Sequence, residues 1–287
     1  MAILVNEDTQ VLIQGITGTQ GRYHTLKMLE YNVKVVGGVT PGKGGEKTQG
    51  LPVYDTVSEA KQYHRIDATM IVVPAAGVLA AAIEAMENNI PLIVIITEFV
   101  PLHDALKIRS LAGRNNHCVV VGPNTIGIIS PERSKVGIMP GFIYSRGNVG
   151  IVSRSGTLTH EIASNLTYRG IGQSTCVGIG GDAVKKTDFT DVLEMFRHDE
   201  DTTKVIMIGE IGGTGEEIAA QYIKESSYPK EVVAYIAGLT APREKRMGHA
   251  GAIISQGFGT PESKVKSLTG AGVRVAGNLD ELLEYVQ

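Results

Sequence analysis

The 287-residue sequence contains no tryptophan, and aromatic residues make up 5% of it. That leaves too few rings for a surface on which nucleic-acid bases stack. A net charge of −3 supplies no basic face to attract a phosphate backbone. Nucleic acid is therefore not an expected partner. Cysteine is nearly absent too: Cys118 and Cys176 each lie in an apolar run. They are expected to be reduced core thiols of a cytoplasmic protein, not a disulfide or a metal pair, and no metal site is expected. The stretch Met1–Gln10 is too short and too polar for a secretory signal. No apolar run, Pro91–Ile96 included, approaches the roughly 20 residues that span a bilayer, so no membrane partner is expected. The chain does hold 43% hydrophobic residues, enough for a packed core, and 35 glycines, many of them at the ends of apolar runs.

Those runs alternate with helical patterns. Val11–Gln14 reads as a buried strand, followed by a helix whose apolar positions include Leu26, Leu29 and Tyr31. Strands are expected at Val33–Val36, Ala68–Val73, Leu92–Ile96 and Cys118–Val121, with helices at Val78–Glu87 and Leu102–Ala112. Gly122–Gly147, rich in Gly, Pro, Ser and Asn, has no clear period and reads as a crossover. The rhythm then restarts, with strands at Asn148–Val152, Ser174–Ile179, Val205–Ile208, Val232–Ala237 and Val273–Ala276. Helices are expected at Gly156–Arg169, Phe189–Arg197, Thr214–Lys224, near Pro261–Leu268 and from Asp280. Short, wholly apolar strands separated by helices mean parallel sheets covered on both faces. The expected fold is therefore α/β, two doubly wound parallel-sheet domains, over residues 1–122 and 148–287, joined by a crossover at 123–147.

Ligands of such sheets bind beyond the carboxyl ends of the strands. In the first domain that edge holds the loops at 15–21, 37–46, 73–77 and 96–101. The first has Gly15, Gly18 and Gly21 at a spacing of three, whose turn points N–H groups at an anion. A dinucleotide site would also need an acidic residue closing the second strand, where Gly37-Gly38 stands, so NAD is not expected. Gly37–Lys43 imitates a phosphate-binding loop, but Gly44 replaces the Ser or Thr that holds magnesium, and no helix follows. Lys43 can offer a point charge to a phosphate or simply sit in water. Glu98, after Ile96-Thr97, either meets a ligand or marks where the chain re-enters solvent.

In the second domain, Ser153-Arg154-Ser155-Gly156 ends a strand and opens a helix. Hydroxyls, N–H groups and the positive helix end suit a phosphate at Ser153, Ser155 and Gly156; an ordinary serine cap explains the same residues. Gly209-Glu210-Ile211-Gly212-Gly213 ends another strand, and Gly178–Asp182 a third, where Asp182 reads as structural. The last loop, Arg246-Met-Gly-His249-Ala-Gly-Ala252, places a histidine between glycines. Glycine gives the backbone freedom of approach, and a neutral imidazole is a nucleophile near pH 7. Glu210 can lie beside His249 and orient it. The pattern points to phosphoryl transfer through a phosphorylated histidine.

Gly37–Gly45, Ser153–Thr159, Ser174–Asp182, Gly209–Gly213 and Arg246–Ile254, in this order, resemble the α subunit of succinyl-CoA synthetase, and the resemblance covers essentially the whole chain. It implies a Rossmann-like CoA-binding domain followed by a flavodoxin-like ligase domain. It further implies CoA binding by Thr17, Gly18, Thr19, Gln20, Lys43, Ile96, Thr97 and Glu98. His249 then carries the phosphoryl group with Glu210 beside it, while ATP or GTP, with Mg, sits on a separate ATP-grasp β subunit. Two positions depart from the family pattern. Asn124-Thr125-Ile126-Gly127 stands where the family usually has Asn-Cys-Pro-Gly, and His160 where it has Tyr. By resemblance His160, Asn124 and Thr125 adjoin the acid, which is then succinate or a relative such as malate or a sulfo-acid (sulfoacetate). The rival readings are a dehydrogenase, which Gly37 contradicts, and a non-catalytic CoA- or NAD-sensing module, which has no need of the His249 loop.

Overall fold

The computed structural model describes residues 2–115, 117–238, 248–249, 251–254 and 259–287. It divides into two units: Leu4–Gly141 with Val184–Lys186, and Phe142–Ala183 with Thr187–Gln287 and residues 2–3.

The first unit follows the alternation of apolar runs. Its elements are β1 (Gln10–Gln14), α1 (Thr19–Leu29), β2 (Lys34–Val39), β3 (Lys47–Thr48), β4 (Leu51–Tyr54), α2 (Val57–Tyr63), β5 (Ala68–Ile71), α3 (Val78–Glu87), β6 (Leu92–Ile95), α4 (Leu102–Arg114) and β7 (Val119–Val121). The strand order is β3-β4-β2-β1-β5-β6-β7. Every pairing is parallel except β3 with β4. From β1 the chain first builds outward through β2, then returns to lay β5 on the other side of β1. That reversal opens a crevice beyond Gln14 and Ile71. Helices α3 and α4 cover the sheet with Val78, Ala82, Ala85, Ile108 and Ala112, packed among Leu12, Ile71, Ile93 and Ile95.

Helix α1 is where the sequence reads it, but its buried residues are Gly21, Thr25 and Met28 rather than Leu26, which is exposed, or Leu29. The reason is Gly21: a Cβ there would lie 2.1 Å from the Gly15 carbonyl oxygen, so the helix rests its glycine directly on the preceding turn. Gly21→Ala is expected to lower the unfolding free energy by about 1–3 kcal/mol. Gly18→Ala, whose new methyl meets the Gly15 oxygen at 3.4 Å, is expected to be near neutral. Urea midpoints of the two variants measure the contrast.

The stretch expected to be an irregular crossover carries a hairpin, β8 (Gly127–Ser130) and β9 (Ser134–Gly137), paired antiparallel. All eight of its residues are buried, so no polar–apolar alternation announces it. Its glycines are packing residues. A Cβ on Gly127 would lie 2.1 Å from the Val136 carbonyl oxygen.

The second unit contains β10 (Arg146–Ser153), α5 (Gly156–Tyr168), β11 (Gln173–Gly178), α6 (Phe189–Arg197), β12 (Lys204–Glu210), α7 (Gly215–Glu225), β13 (Glu231–Ala237), α8 (Pro261–Gly270), β14 (Arg274–Ala276) and α9 (Leu279–Val286). Five parallel strands run in the order β14-β13-β12-β10-β11. Here β10 is the strand from which the chain departs in both directions, so Ser153 and the end of β12 flank the second crevice. Local signals hold the helix starts. Ser155 caps α5, Asp188 and Asp191 form a reciprocal capping box on α6, and Thr260 caps α8 with Pro261 following. The fold is thus two doubly wound α/β units, as the sequence leads one to expect. Among the described residues no helix is long and apolar enough to cross a membrane.

Candidate active site

In the first unit the turn after β1 and the turns after β2, β4 and β5 surround a cavity of about 810 Å³. That size suits a drug- or cofactor-sized molecule. Gln14, Gly15, Thr17 and Gly18 form one wall, Val39, Thr40 and Pro41 a second, and Val72, Val73 and Pro74 a third. The Thr17 hydroxyl donates to the Thr40 hydroxyl at 3.1 Å, tying two of the walls together. Of the residues expected to bind CoA, Thr17 and Gly18 line this cavity directly. Thr97 supports it from outside, its hydroxyl donating to the Val73 carbonyl at 2.7 Å. Thr19, Gln20 and Glu98 are exposed beside the crevice, while Lys43 and Ile96 are half-buried. Asp55, Thr56 and Glu84 also line the cavity and were missed by the sequence reading. They come from the short β4–α2 segment and from α3, whose periodicity marks only the core face.

Asn124 and Thr125 follow β7. The Asn124 N–H donates to the Thr97 carbonyl at 3.1 Å, which joins the expected acid-binding turn to the expected CoA-binding one. Thr125 is buried, and its hydroxyl accepts the Gly127 N–H at 2.9 Å.

In the second unit, parallel register brings three strand ends level: Ser153 pairs with Gly178 on one side and with Ile208 on the other. The Ser155 side chain accepts the Leu158 N–H, and the Ser153 hydroxyl donates to the Ser155 carbonyl at 2.9 Å while accepting the Ser155 N–H at 3.0 Å. Both serines thus have a structural job. What stays available to an anion is the helix start at Gly156, where the first N–H groups have no intrahelical acceptor.

Glu210, the last residue of β12, is buried, and its Oε2 lies 2.8 Å from His249 Nδ1. The His249 side chain is 30% exposed, so the ring is neither sealed inside nor free in solvent. Glycine makes the contact feasible. A Cβ on Gly181 would sit 2.4 Å from His249 Cγ, so only bare backbone admits the ring. On its downstream side the loop is pinned. The Gly251 N–H donates to the Gly181 carbonyl at 3.1 Å, and Ala252 and Ile254 bury against Ile211. Arg246, Met247 and Ala250 of this motif lie outside the described residues.

The Glu210 hydrogen bond holds the His249 pKa above the ordinary histidine value, reinforced by the fields of Glu210 and Asp182 and opposed by burial and Arg154. Asp182, read from sequence as structural, therefore also acts on the ring. With Nδ1–H donated to a carboxylate, the lone pair of the neutral imidazole resides on Nε2.

Beneath the pair lies a set of buried charges that the sequence reading gave no role: Arg154, Glu216 and Lys264. Arg154 sits between Ser153 and Ser155, and Glu216 looks like an ordinary first-turn acid, so neither stands out locally. His160, on the second turn of α5, faces the Tyr144 ring edge-on at 6.3 Å. Its Nε2 is buried with no hydrogen-bond partner among the described residues, and burial lowers its pKa. No group of three or more His, Cys, Asp and Glu among the described residues is arranged to hold a metal ion.

Residues 6–99 match the CoA binding domain family and residues 152–274 the CoA-ligase family. The chain is 54% identical over its full length to the succinate–CoA ligase (ADP-forming) subunit alpha 2 of Archaeoglobus fulgidus, covering 99% of that relative. It is 49% identical to the corresponding subunit alpha of Staphylococcus aureus, over 98% of this chain and 93% of the relative. In solved structures its fold recurs in the ATP citrate lyase of Methanosaeta concilii in complex with (3S)-citryl-CoA. There the TM-score is 0.90 at 24% identity, over 99% of this chain and 50% of that one. It recurs again in a dinucleotide-forming acetyl-coenzyme A synthetase of Ca. Korarchaeum cryptofilum, with a TM-score of 0.76 at 19% identity, over 98% of this chain and 60% of that one. The chain belongs to the family of ADP-forming succinate–CoA ligase α subunits, acid–thiol ligases in which a CoA-binding domain precedes a CoA-ligase domain.

Proposed function

We propose that this chain is the phosphohistidine-bearing subunit of an acid–CoA ligase. The observation that carries the reading is the 2.8 Å contact between Glu210 and His249 Nδ1 on a partly exposed ring. Nε2 of His249 attacks the terminal phosphorus of a nucleoside triphosphate, and the diphosphate leaves. A carboxylate oxygen of the acid then takes the phosphoryl group from Nε2, giving an acyl phosphate and restoring the imidazole. The CoA thiolate attacks the acyl carbon, phosphate departs, and a thioester remains. Splitting one difficult condensation into three displacements is the gain from the covalent relay. The phosphate is received at the helix start of Ser153, Ser155 and Gly156. ATP or GTP, with its Mg, belongs to an ATP-grasp β partner, and the assembly works in the cytoplasm. CoA occupies the 810 Å³ cavity lined by Thr17 and Gly18, and Thr19, Gln20, Lys43, Ile96, Thr97 and Glu98 contribute to holding it. We retain the division into a CoA-binding domain over 1–122, a crossover over 123–147 and a ligase domain over 148–287. The family matches at 6–99 and 152–274 lie on either side of the crossover.

Succinate is the first acid to test. The buried Nε2 of His160, without a hydrogen-bond partner among the described residues, favours a second reading, in which the acid carries a further acceptor such as the hydroxyl of malate or the sulfonate of sulfoacetate. Co-purified with its β partner and given ATP and CoA, the protein is expected to form thioester with one acid of such a panel. His249 takes acid-labile, base-stable label from γ-labelled ATP. Absence of label sinks the reading in favour of a CoA-sensing module.

The sign of the pH dependence follows from the raised pKa. Protonated imidazole has no lone pair at Nε2, so phosphorylation falls off on the acid side, beginning above the ordinary histidine value of 6.5. In Glu210→Gln the largest cause of that elevation is gone. The acid limb is expected to move to lower pH, while kcat falls about 10- to 100-fold, the scale on which orienting partners of a reactive group act. The pH–rate profiles of phosphohistidine formation report both effects. In folding, the same raised pKa favours the native state most below pH 6.5, and this contribution disappears as pH rises through the folded-state value.

A further inference from the structure

The charged floor under His249 is built more elaborately than stability requires. The Arg154 side chain is 4% exposed, Glu210 8%, and Glu216 and Lys264 0%. Buried ion pairs seldom repay their desolvation, and apolar replacements of similar volume are often as stable. What such a network does well is fix an orientation. Arg154 Nη1 donates to the Gly212 carbonyl at 2.9 Å, to the Glu210 carbonyl at 3.4 Å and to Glu216 Oε1 at 3.2 Å. Its Nη2 lies 3.2 Å from Glu210 Oε1. Glu216 Oε1 also accepts the Glu210 N–H at 3.1 Å. Glu210 is therefore held by hydrogen bonds at its N–H and its carbonyl, while its buried Oε1 faces the guanidinium as an ion pair without a hydrogen bond among the described residues, which leaves Oε2 for His249.

Arg154 is itself braced. Lys264 Nζ contacts Glu216 Oε2 and donates to the Gly213 carbonyl at 3.0 Å and to Glu217 Oε2 at 3.1 Å. Two glycines admit the arrangement. A Cβ on Gly209 would be 2.7 Å from Glu216 Cγ, and one on Gly251 would be 3.0 Å from Arg154 Nη2. The chain returning from His249 thus rests on the guanidinium. The charged groups facing the ring come from three elements: Glu210 from β12, Arg154 from the end of β10 and Asp182 from the turn after β11.

We propose that Arg154 is a positioning residue which, braced by the buried Glu216–Lys264 pair, sets the Glu210 carboxylate so that Oε2 meets His249 Nδ1 and Nε2 is presented for phosphoryl transfer. The proposal rests on His249 being the phosphoryl carrier. Arg154 does not touch the reacting atoms; it acts through Glu210. A lysine at this position keeps the charge but not the planar fork that reaches two carboxylates and two carbonyls at once.

The test uses Arg154→Lys, purified with the β partner and labelled with ¹⁵N at histidine. Because the charge is retained, the long-range field on His249 is nearly unchanged and the titration reads geometry. The His249 midpoint is expected to fall toward the ordinary value, the acid limb of phosphohistidine formation to move with it, and kcat to drop about 10- to 100-fold with KM for CoA unchanged. A purely structural Arg154 predicts a less stable protein whose His249 titrates as in wild type, and that result overturns the proposal. Should Arg154→Lys not fold, the charge-neutral double variant Glu216→Gln, Lys264→Met removes the brace instead and is expected to shift the midpoint in the same direction. An unshifted midpoint in that variant overturns the proposal equally. Wild-type protein that takes no label from ATP sinks the phosphohistidine reading by itself. Wild type that labels, beside an Arg154→Lys variant that labels and titrates identically, sinks only the role of Arg154.

Discussion

His249→Ala, assembled with its partner and supplied with nucleotide, acid and CoA, is expected to lose ligation by on the order of 10³-fold or more, because no other nucleophile takes over a covalent relay. CoA binding should be untouched, since the cavity at Thr17, Gly18 and Val39–Pro41 belongs to a separately packed unit. Isothermal titration with CoA and the steady-state rate therefore separate cleanly in this variant. Full turnover in His249→Ala would remove the mechanism outright. Parallel loss of CoA affinity would show that the substitution had damaged more than the relay.

The second large effect is on folding. Lys264→Met leaves Glu216, fully buried, with Arg154 as its remaining cation. Burial raises the Glu216 pKa and Arg154 and Lys264 lower it, the two cations prevailing. Breaking a buried pair from one side typically costs about 3–5 kcal/mol. In a unit of this size, that corresponds to a fall in Tm on the order of 10 °C. Glu216→Gln in the same protein removes the stranded charge and is expected to restore most of the loss. The lowered Glu216 pKa also sets a pH window. Its contribution is present above the unfolded carboxylate value, near 4.5, and is lost as pH falls through the folded one, so the wild-type advantage over the double variant shrinks on acidification. Differential scanning calorimetry of the single and double variants measures both effects.

Much of this architecture is legible in one chain. Helices α3 and α6 begin and end where the sequence reads them, at Val78–Glu87 and Phe189–Arg197, because continuous apolar periodicity meets clear boundaries. Helix α1 is legible as a helix but not in its facing. Apolar spacing singles out Leu26 and Leu29, whereas close approach of Gly21 to the Gly15 turn decides which side is covered. The hairpin of β8 and β9 and the short β3, β4 and α2 escape detection, since glycine, proline or polar residues interrupt each of them, unlike the wholly apolar β6 and β7. At the site, the pairing of Glu210 with His249 could be anticipated, because both sit on glycine-flanked turns at one sheet edge. The links from Arg154 to Glu216 and from Glu216 to Lys264 span 62 and 48 residues, and no local pattern records them. Likewise Asp55, Thr56 and Glu84 reach the cavity only through the folding of β4 and α3 around it.

In the proposed relay, the hydrogen bond between His249 and Glu210 also dictates regiochemistry. With one ring nitrogen occupied, a phosphoryl donor arriving from any direction can form only a single phosphoramidate isomer. A nucleotide pushing phosphorus in and an acyl phosphate pushing it back must therefore pass through the same adduct. One adduct thus serves both directions of the proposed relay, and ³¹P spectra of protein charged from opposite ends of the reaction should superimpose.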